Sequence, residues 1–322
     1  MSPPLVSIVI LNWNGSKCIR ECLESVIKTA YSSIEIIVVD NASTDDSKSI
    51  IRNFPTALLL ELPQNIGFAA GNNAGFAKAT GTYIATLNND VVVDPQWLNQ
   101  PVALFEKIRS IGIVACRQMN FYNRETIDCL YTYPLRSLLL EPMGSTKRYV
   151  QKELYTQPGF VFGAGGASAL YRKAVITALG GFDERYFAYH EESDLCMRAF
   201  LSGWKCAYAP EAIVYHRGSF SFNTIQKKMV FLHERNRVWF IYKFYPLSYI
   251  GKNIFWILLW QLRVARVWII KRNAGWIFFK ALYAGFKGRA CFREERKKNS
   301  IAFNEKCREF DIFVRQKKIP LQ

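Results

Sequence analysis

The 322-residue chain predicts an α/β fold, a mostly parallel sheet flanked by helices, continued by a C-terminal helical region that is basic and aromatic. Three observations lead there. Over the first 120 residues, apolar β-rich runs alternate with helical patterns, as in parallel sheets covered on both faces. Polar residues stand at the carboxyl ends of those runs, where such sheets bind ligands. Charge is divided along the chain: residues 1–216 carry a net −1 and residues 217–322 a net +17, the latter beside five of the eight tryptophans. Half of the residues are hydrophobic, which excludes a wholly disordered chain and supplies a substantial core.

The elements follow in order. "LVSIVILNW" reads as a strand, and the next helix carries Ile19, Leu23, Val26 and Ile27 on one face. "IEIIVVDN" is the second strand, with "STDDS" capping the helix after it. Then come "ALLLEL", a small-residue helix through "GFAAGNNAGFAKA", the strand "TYIATLNND", a helix opened by Pro95, and "IGIVAC". Residues 120–157 lack periodicity and predict a loop-rich insertion. "GFVFGAGGASALYRKAVITALGGFDE" predicts a strand, a glycine-rich turn and a helix, "YHEESDLCMRAFLSGW" an acidic helix start, and "CAYAPEAIVYH" a further strand. From about 226 the pattern is helical, dividing the chain into an α/β domain, 1–225, and a C-terminal region, 226–322. The eight cysteines show no CxxC pair, so free thiols in a reducing cytosol are expected. The N-terminal apolar run of six is too short for a signal peptide or a span.

"LNNDVVVD" poses the sharpest question, because a lone carboxylate ending an apolar strand must face a cleft, find a partner or bind a metal. Asp90 and His216 each end such a strand, and a single histidine is equally a satisfied core residue. Asp40, at the end of "IIVVD", with Asn41 and Ser43 suits a base or ribose edge, or an Asx turn capping the next helix. The glycines of "QNIGFAAGNNAG" suit close helix–sheet packing, whereas Asn65, Asn72 and Asn73 together suggest a polar ligand. "GAGGAS" starts a GxGxx pattern, but the acid 20 residues on follows a helix stop rather than a strand, so a nicotinamide site is not expected. Glu191, Glu192 and Asp194 suit a helix N-terminus, and three clustered carboxylates also raise one another's pKa toward the range of a general base. Arg235 and Asn236 form either a solvated helix face or a phosphate contact.

In order, "VSIVILNWNG", "IIVVDNASTD", "NIGFAAGNN", "LNNDVVVD", "GGFDERYFAYHEESDLCMRAFLSGW", "YAPEAIVYH" and "ERNRVWF" resemble family 2 glycosyltransferases of the rhamnosyltransferase-like kind, enzymes of GT-A fold. The resemblance runs from Val6 to about Pro246. It implies that Asn12, Asn14 and Asp40 bind the nucleoside, that Asn65, Gly67 and Asn72 line the donor sugar, and that Asn89 and Asp90 occupy the DxD-like position. His216 would complete the metal-diphosphate environment, and Arg235 would reach the phosphates. Asn88 stands where such a motif has its first Asp, which leaves Asp90 as the single carboxylate for Mg2+ or Mn2+. Glu192 stands where the family has its base aspartate, with Glu191 and Asp194 as alternatives.

The implied reaction is inverting transfer from a nucleoside-diphosphate-sugar, dTDP-rhamnose favoured, to a polyprenyl-diphosphate-linked glycan acceptor in cell-surface polysaccharide synthesis. A non-catalytic sugar-nucleotide or glycan-binding module is the competing expectation, favoured by the substitutions at Asn88 and Glu192. "NIFWILLWQL" has only ten charge-free residues, too few to span a bilayer, and its aromatic, basic surroundings fit an anionic membrane surface or a plain helical cap. Nucleic acid is not expected, because no module for it accompanies the charge. The expected location is cytoplasmic, peripheral on the inner face of the plasma membrane.

Overall fold

The computed structural model describes residues 2–150, 152–218, 222–271 and 274–321. The first half alternates as the hydrophobic pattern dictates: β1 Val6–Asn12, α1 Ile19–Ile27, β2 Ile34–Asp40, α2 Ser47–Arg52, β3 Ala57–Glu61, α3 Gly67–Lys78, β4 Tyr83–Asn88, β5 Val91–Val93, α4 Asn99–Lys107 and β6 Ile111–Asn120. There follow β7 Ile127–Cys129, β8 Thr132–Pro134, β9 Leu140–Pro142, α5 Glu153–Thr156, β10 Gly159–Val161, β11 Ser168–Arg172, α6 Lys173–Leu179, α7 Glu191–Leu201 and β12 Lys205–His216. The remainder is α8 Phe222–Phe244, α9 Leu247–Lys252, α10 Ile254–Arg266, α11 Gly275–Gly288, α12 Arg293–Gln316 and β13 Lys318–Pro320.

Eleven strands form one sheet in the order β13-β10-β12-β6-β11-β4-β1-β2-β3, with β5 on β12 and β7 on β6. Its β3-β2-β1-β4 half is parallel. Beyond β4 the sheet is mixed, which corrects the mostly parallel expectation, because β11 enters antiparallel between β4 and β6. That strand was read as helix: Ser168, Ala169, Leu170 and Tyr171 are buried on both faces and so leave no alternation, and the run passes straight into α6. Residues 120–157, expected as loop, hold three short strands and a short helix, with Leu130, Tyr131 and Met143 buried.

Period-two alternation divides the core between the faces of the sheet. Ile8, Ile10 and Val38 pack with Ile19 and Leu23 of α1, while Val9, Ile37 and Val39 pack with Ala69 and Phe76 of α3. Gly75 lies so close to Val9 that an added Cβ would approach its side chain to 2.3 Å, so packing accounts for this small residue. The C-terminal helices share a third cluster with the α/β segment: Phe240, Phe303 and Phe310 against Phe162, Met197 and Phe200. β13 also pairs with β10. The boundary at 225/226 therefore falls inside a common core.

Candidate active site

The chain restarts as a strand after Asn88-Asn89-Asp90 because β5 pairs with the end of β12, setting Val91 opposite His216 and Val93 opposite Val214. That register brings Asp90 Oδ1 to 3.3 Å from His216 Nε2. The other ring nitrogen, Nδ1, lies 2.8 Å from Asp128 Oδ2. Burial opposes charge on this ring, but the hydrogen bonds and charges of Asp128 and Asp90 together outweigh it and lift the imidazole pKa to about 10.

A cavity of about 900 Å³ opens here, and Asn65, Gly67, Asn89, Asp90, Glu191, Glu192 and His216 all line it. Gly67 is required by contact as well as conformation. Its φ is +93°, and a Cβ would approach the Phe187 carbonyl oxygen, which accepts from Phe68 N, to 2.5 Å. Asn65 Oδ1 accepts from Gly67 N at 3.0 Å, fixing the entry to α3.

Four of the expected donor residues, Asn12, Asn14, Asp40 and Asn72, are turned to the protein instead. Asn12 is fully buried, donates from Nδ2 to Asp40, Ser43 and Ser47, and accepts from Asn89 Nδ2. Asp40 also accepts from Ser43 N at 2.9 Å, so the Asx-turn reading describes it. Asn14 Oδ1 accepts from Thr44 N, and Asn72 donates back to Phe68 O within its own helix. None of the four is among the residues lining the cavity. Asn12, Asn14 and Asp40 brace the loops that carry Asn41 and Asn89, while the Asn72 bond stays within α3.

The acidic cluster divides by burial and partners. Asp194 is fully buried and held by Arg198 Nε and Lys243 Nζ, and its side chain lies outside the cavity lining. With its carboxylate closed between these two cations and away from the cavity, Asp194 is not placed to meet an acceptor hydroxyl in this structure. Burial raises the pKa of both Glu191 and Glu192, and the charge of Glu192 adds to the rise at Glu191. His233, close by on α8, opposes the rise at Glu192. Arg235 is likewise corrected: it donates to Tyr186 O and stacks over Trp239 outside the cavity lining. Asn236 donates to the carbonyls of Tyr186, Ala188 and Tyr189, so this pair pins the loop before α7.

Trp13, Gln118, Asp128, His190, Lys227 and His233 line the cavity without having been foreseen. Asp128 lies in the aperiodic stretch, where no pattern marked it. His233 did leave a signal: Met229, Leu232 and His233 fall at i, i+3 and i+4, one face of α8, and all three line the cavity.

Among the described residues, no group of three or more His, Cys, Asp or Glu side chains is arranged to hold a metal ion. Asp90 and His216 form an ion pair here, and the ring, protonated under the raised pKa, would have to give up its Nε2 proton before it could stand beside Asp90 as a ligand. Asp128 on the far nitrogen then matches the carboxylate–histidine arrangement common behind metal-ligating imidazoles. Two protein donors suffice for Mg2+ or Mn2+ when substrate phosphates and water complete the shell.

Residues 7–179, more than half of the chain, match the model of glycosyl transferase family 2. The chain belongs to that family. The chain is 32% identical over 127 residues to an uncharacterized glycosyltransferase of Nostoc sp., an alignment covering 38% of this chain and 39% of that relative. Its fold is that of GT-A enzymes. GalNAc-T7, solved with UDP, GalNAc and Mn2+, superposes with a TM-score of 0.61 at 17% identity, covering 76% of this chain and 48% of the other. A mannosyltransferase of Pyrobaculum calidifontis, solved with GDP-Man and Mn2+, superposes with a TM-score of 0.54 at 16% identity, covering 97% and 87%.

Proposed function

We propose that the protein is an inverting glycosyltransferase that moves a sugar from a nucleoside diphosphate to a hydroxyl of a lipid-linked glycan. One observation carries the reading. Glu192 lines the same cavity as Asp90 and His216. A base and a diphosphate site sharing one cavity is what a single displacement at the anomeric carbon requires. The neighbours solved with UDP, GDP-Man and Mn2+ support a nucleotide-sugar donor and a divalent ion. The rhamnosyltransferase-like motifs favour dTDP-rhamnose as donor and a polyprenyl-diphosphate-linked glycan of a surface polysaccharide as acceptor.

A divalent ion held by Asp90 and His216 would supply positive charge against the departing diphosphate. Asp128 orients the His216 ring toward that position, and Asn89, which donates to Asn12, keeps the neighbouring loop in register. The acceptor hydroxyl attacks the anomeric carbon from the face opposite the leaving group. Its oxygen forms the new glycosidic bond, the bond to the diphosphate breaks with its electron pair, and the proton passes to Glu192. Glu191, whose raised pKa favours its protonated form, stands beside Glu192 in the cavity lining.

The test has two parts. Thermal shift with dTDP, UDP and GDP, each with and without Mn2+, identifies the nucleotide, because a ligand that binds the native state raises the melting temperature. Donor turnover of the wild type and of Glu192→Gln then separates enzyme from binding module. We expect binding retained and turnover reduced on the order of 10²–10⁴-fold in the mutant. Nucleotide binding with no metal-dependent turnover in the wild type points to a non-catalytic sugar-nucleotide module instead.

A further inference from the structure

The C-terminal helices present an apolar face that the fold leaves uncovered. Among the described residues, thirteen of the twenty-two exposed large hydrophobic side chains lie between Ile254 and Phe286. α10 has no buried residue at all, and Leu262, Phe255 and Trp276 are 69%, 65% and 80% exposed. Exposed apolar side chains this concentrated along one segment mark an interaction site rather than ordinary surface scatter.

The face is rigidly mounted. Trp239 Nε1 donates to Gly285 O at 3.1 Å, and a Cβ on Gly285 would approach Val238 to 2.8 Å, so α11 is seated against α8. Trp268 Nε1 donates to the buried Glu234, tying the segment after α10 to the same helix. These anchors point inward and leave the apolar side chains facing out.

Charge identifies the occupant. No Asp or Glu occurs between Glu234 and Glu294, while that stretch holds twelve Lys and Arg. Lys252, Arg263, Arg266, Lys280 and Lys287 are exposed among the apolar side chains. A second copy of the chain docked through this face would oppose cations to cations with no carboxylate to separate them. An anionic lipid surface offers both a hydrocarbon layer and negative headgroups. Among the described residues, no helix is long and apolar enough to cross a membrane, so contact is interfacial.

We propose that α10 and α11 form an in-plane docking surface for an anionic lipid bilayer. Trp276, Phe255 and Leu262 enter the acyl boundary while the surrounding lysines and arginines meet the headgroups. α8 carries the surface on one side and lines the cavity with Leu232 and His233 on the other, so docking holds the cavity one helix from the lipid. The surface stands on exposure and charge alone and does not depend on the transfer reading.

The test uses the full chain and sedimentation with vesicles of phosphatidylcholine, with or without 30% phosphatidylglycerol, at low and high salt. Wild type is expected to sediment with the anionic vesicles and to be released by salt. Phe255→Ser/Leu262→Ser/Trp276→Ser changes only exposed positions, so circular dichroism melts should match wild type while binding is lost. Lys252→Glu/Arg263→Glu/Lys280→Glu should cut partitioning on the order of 100-fold while leaving the apolar face in place. Absence of wild-type binding to anionic vesicles at low salt overturns the proposal. So does a dimer in solution that the serine variant dissociates, if wild type ignores vesicles, because the face would then belong to a second copy.

Discussion

Asp194→Asn separates a structural acid from a catalytic one. Asp194 has no solvent exposure, and its carboxylate faces Arg198 Nε and Lys243 Nζ. Lys243 is itself 3% exposed and holds Asp183 Oδ2 at 2.7 Å, and Arg198 also donates to Leu179 O and Gly181 O. Neutralising one partner of a buried pair costs about 3–5 kcal/mol because the remaining charge is left uncompensated. Both cations here keep other acceptors, so the loss belongs near the lower limit, about 3 kcal/mol, or a fall in melting temperature of roughly 6 °C for a chain of this size. Thermal and urea melts of the mutant measure that loss, and turnover per folded molecule measures chemistry separately. Adding Lys243→Met should recover part of the stability, since it removes the stranded cation, and the double-mutant cycle isolates the coupling. A mutant that melts like wild type yet turns over at least 100-fold more slowly would refute this reasoning and make Asp194 the base.

The other expectations concern the cavity. Asp90→Asn should abolish the metal-dependent part of nucleotide affinity, read by titration calorimetry with and without Mn2+, and should also lower the melting temperature because the His216 ring loses a charged partner; metal response retained alongside that loss would show that Asp90 only pairs within the fold. Asp128→Asn should weaken the same metal dependence by about 10–100-fold and Asp128→Glu should restore part of it, whereas equal loss in both variants points to a packing role. Glu191 has a folded pKa raised well above the ordinary 4.5 by burial and by Glu192, so the native state keeps a proton that the unfolded chain releases. Its contribution to stability is therefore full below the ordinary value and declines as pH rises toward the raised one. Glu191→Gln removes that slope, so its melting temperature relative to wild type should climb between pH 5 and pH 8; a constant offset would count against the raised pKa.

Sequence alone determined the parallel half of the sheet, the strand ends that carry Asp90 and His216, and the acidic start of α7. Those features rest on local periodicity and on the rule that ligands sit at carboxyl ends, and both are written along the chain. Of the cavity residues, Asn65, Asp90, Glu191, Glu192 and His216 stand out from the residues themselves, while Gly67 and Asn89 enter through the family resemblance. What the chain could not show was direction. Asn12, Asp40 and Asn72 sit where ligand-binding polar groups belong, yet their hydrogen bonds run to Ser43, Ser47 and Phe68, because loops at a sheet edge need bracing as much as ligands need donors. β11 escaped because a central strand buried on both faces has no alternation to read. Asp128 and His233 reach the cavity from segments 88 and 17 residues from His216, and Lys243 neutralises Asp194 across 49 residues. Such pairings are set by how packed elements meet, and only the folded arrangement decides which of three neighbouring carboxylates is buried against cations and which faces the cavity.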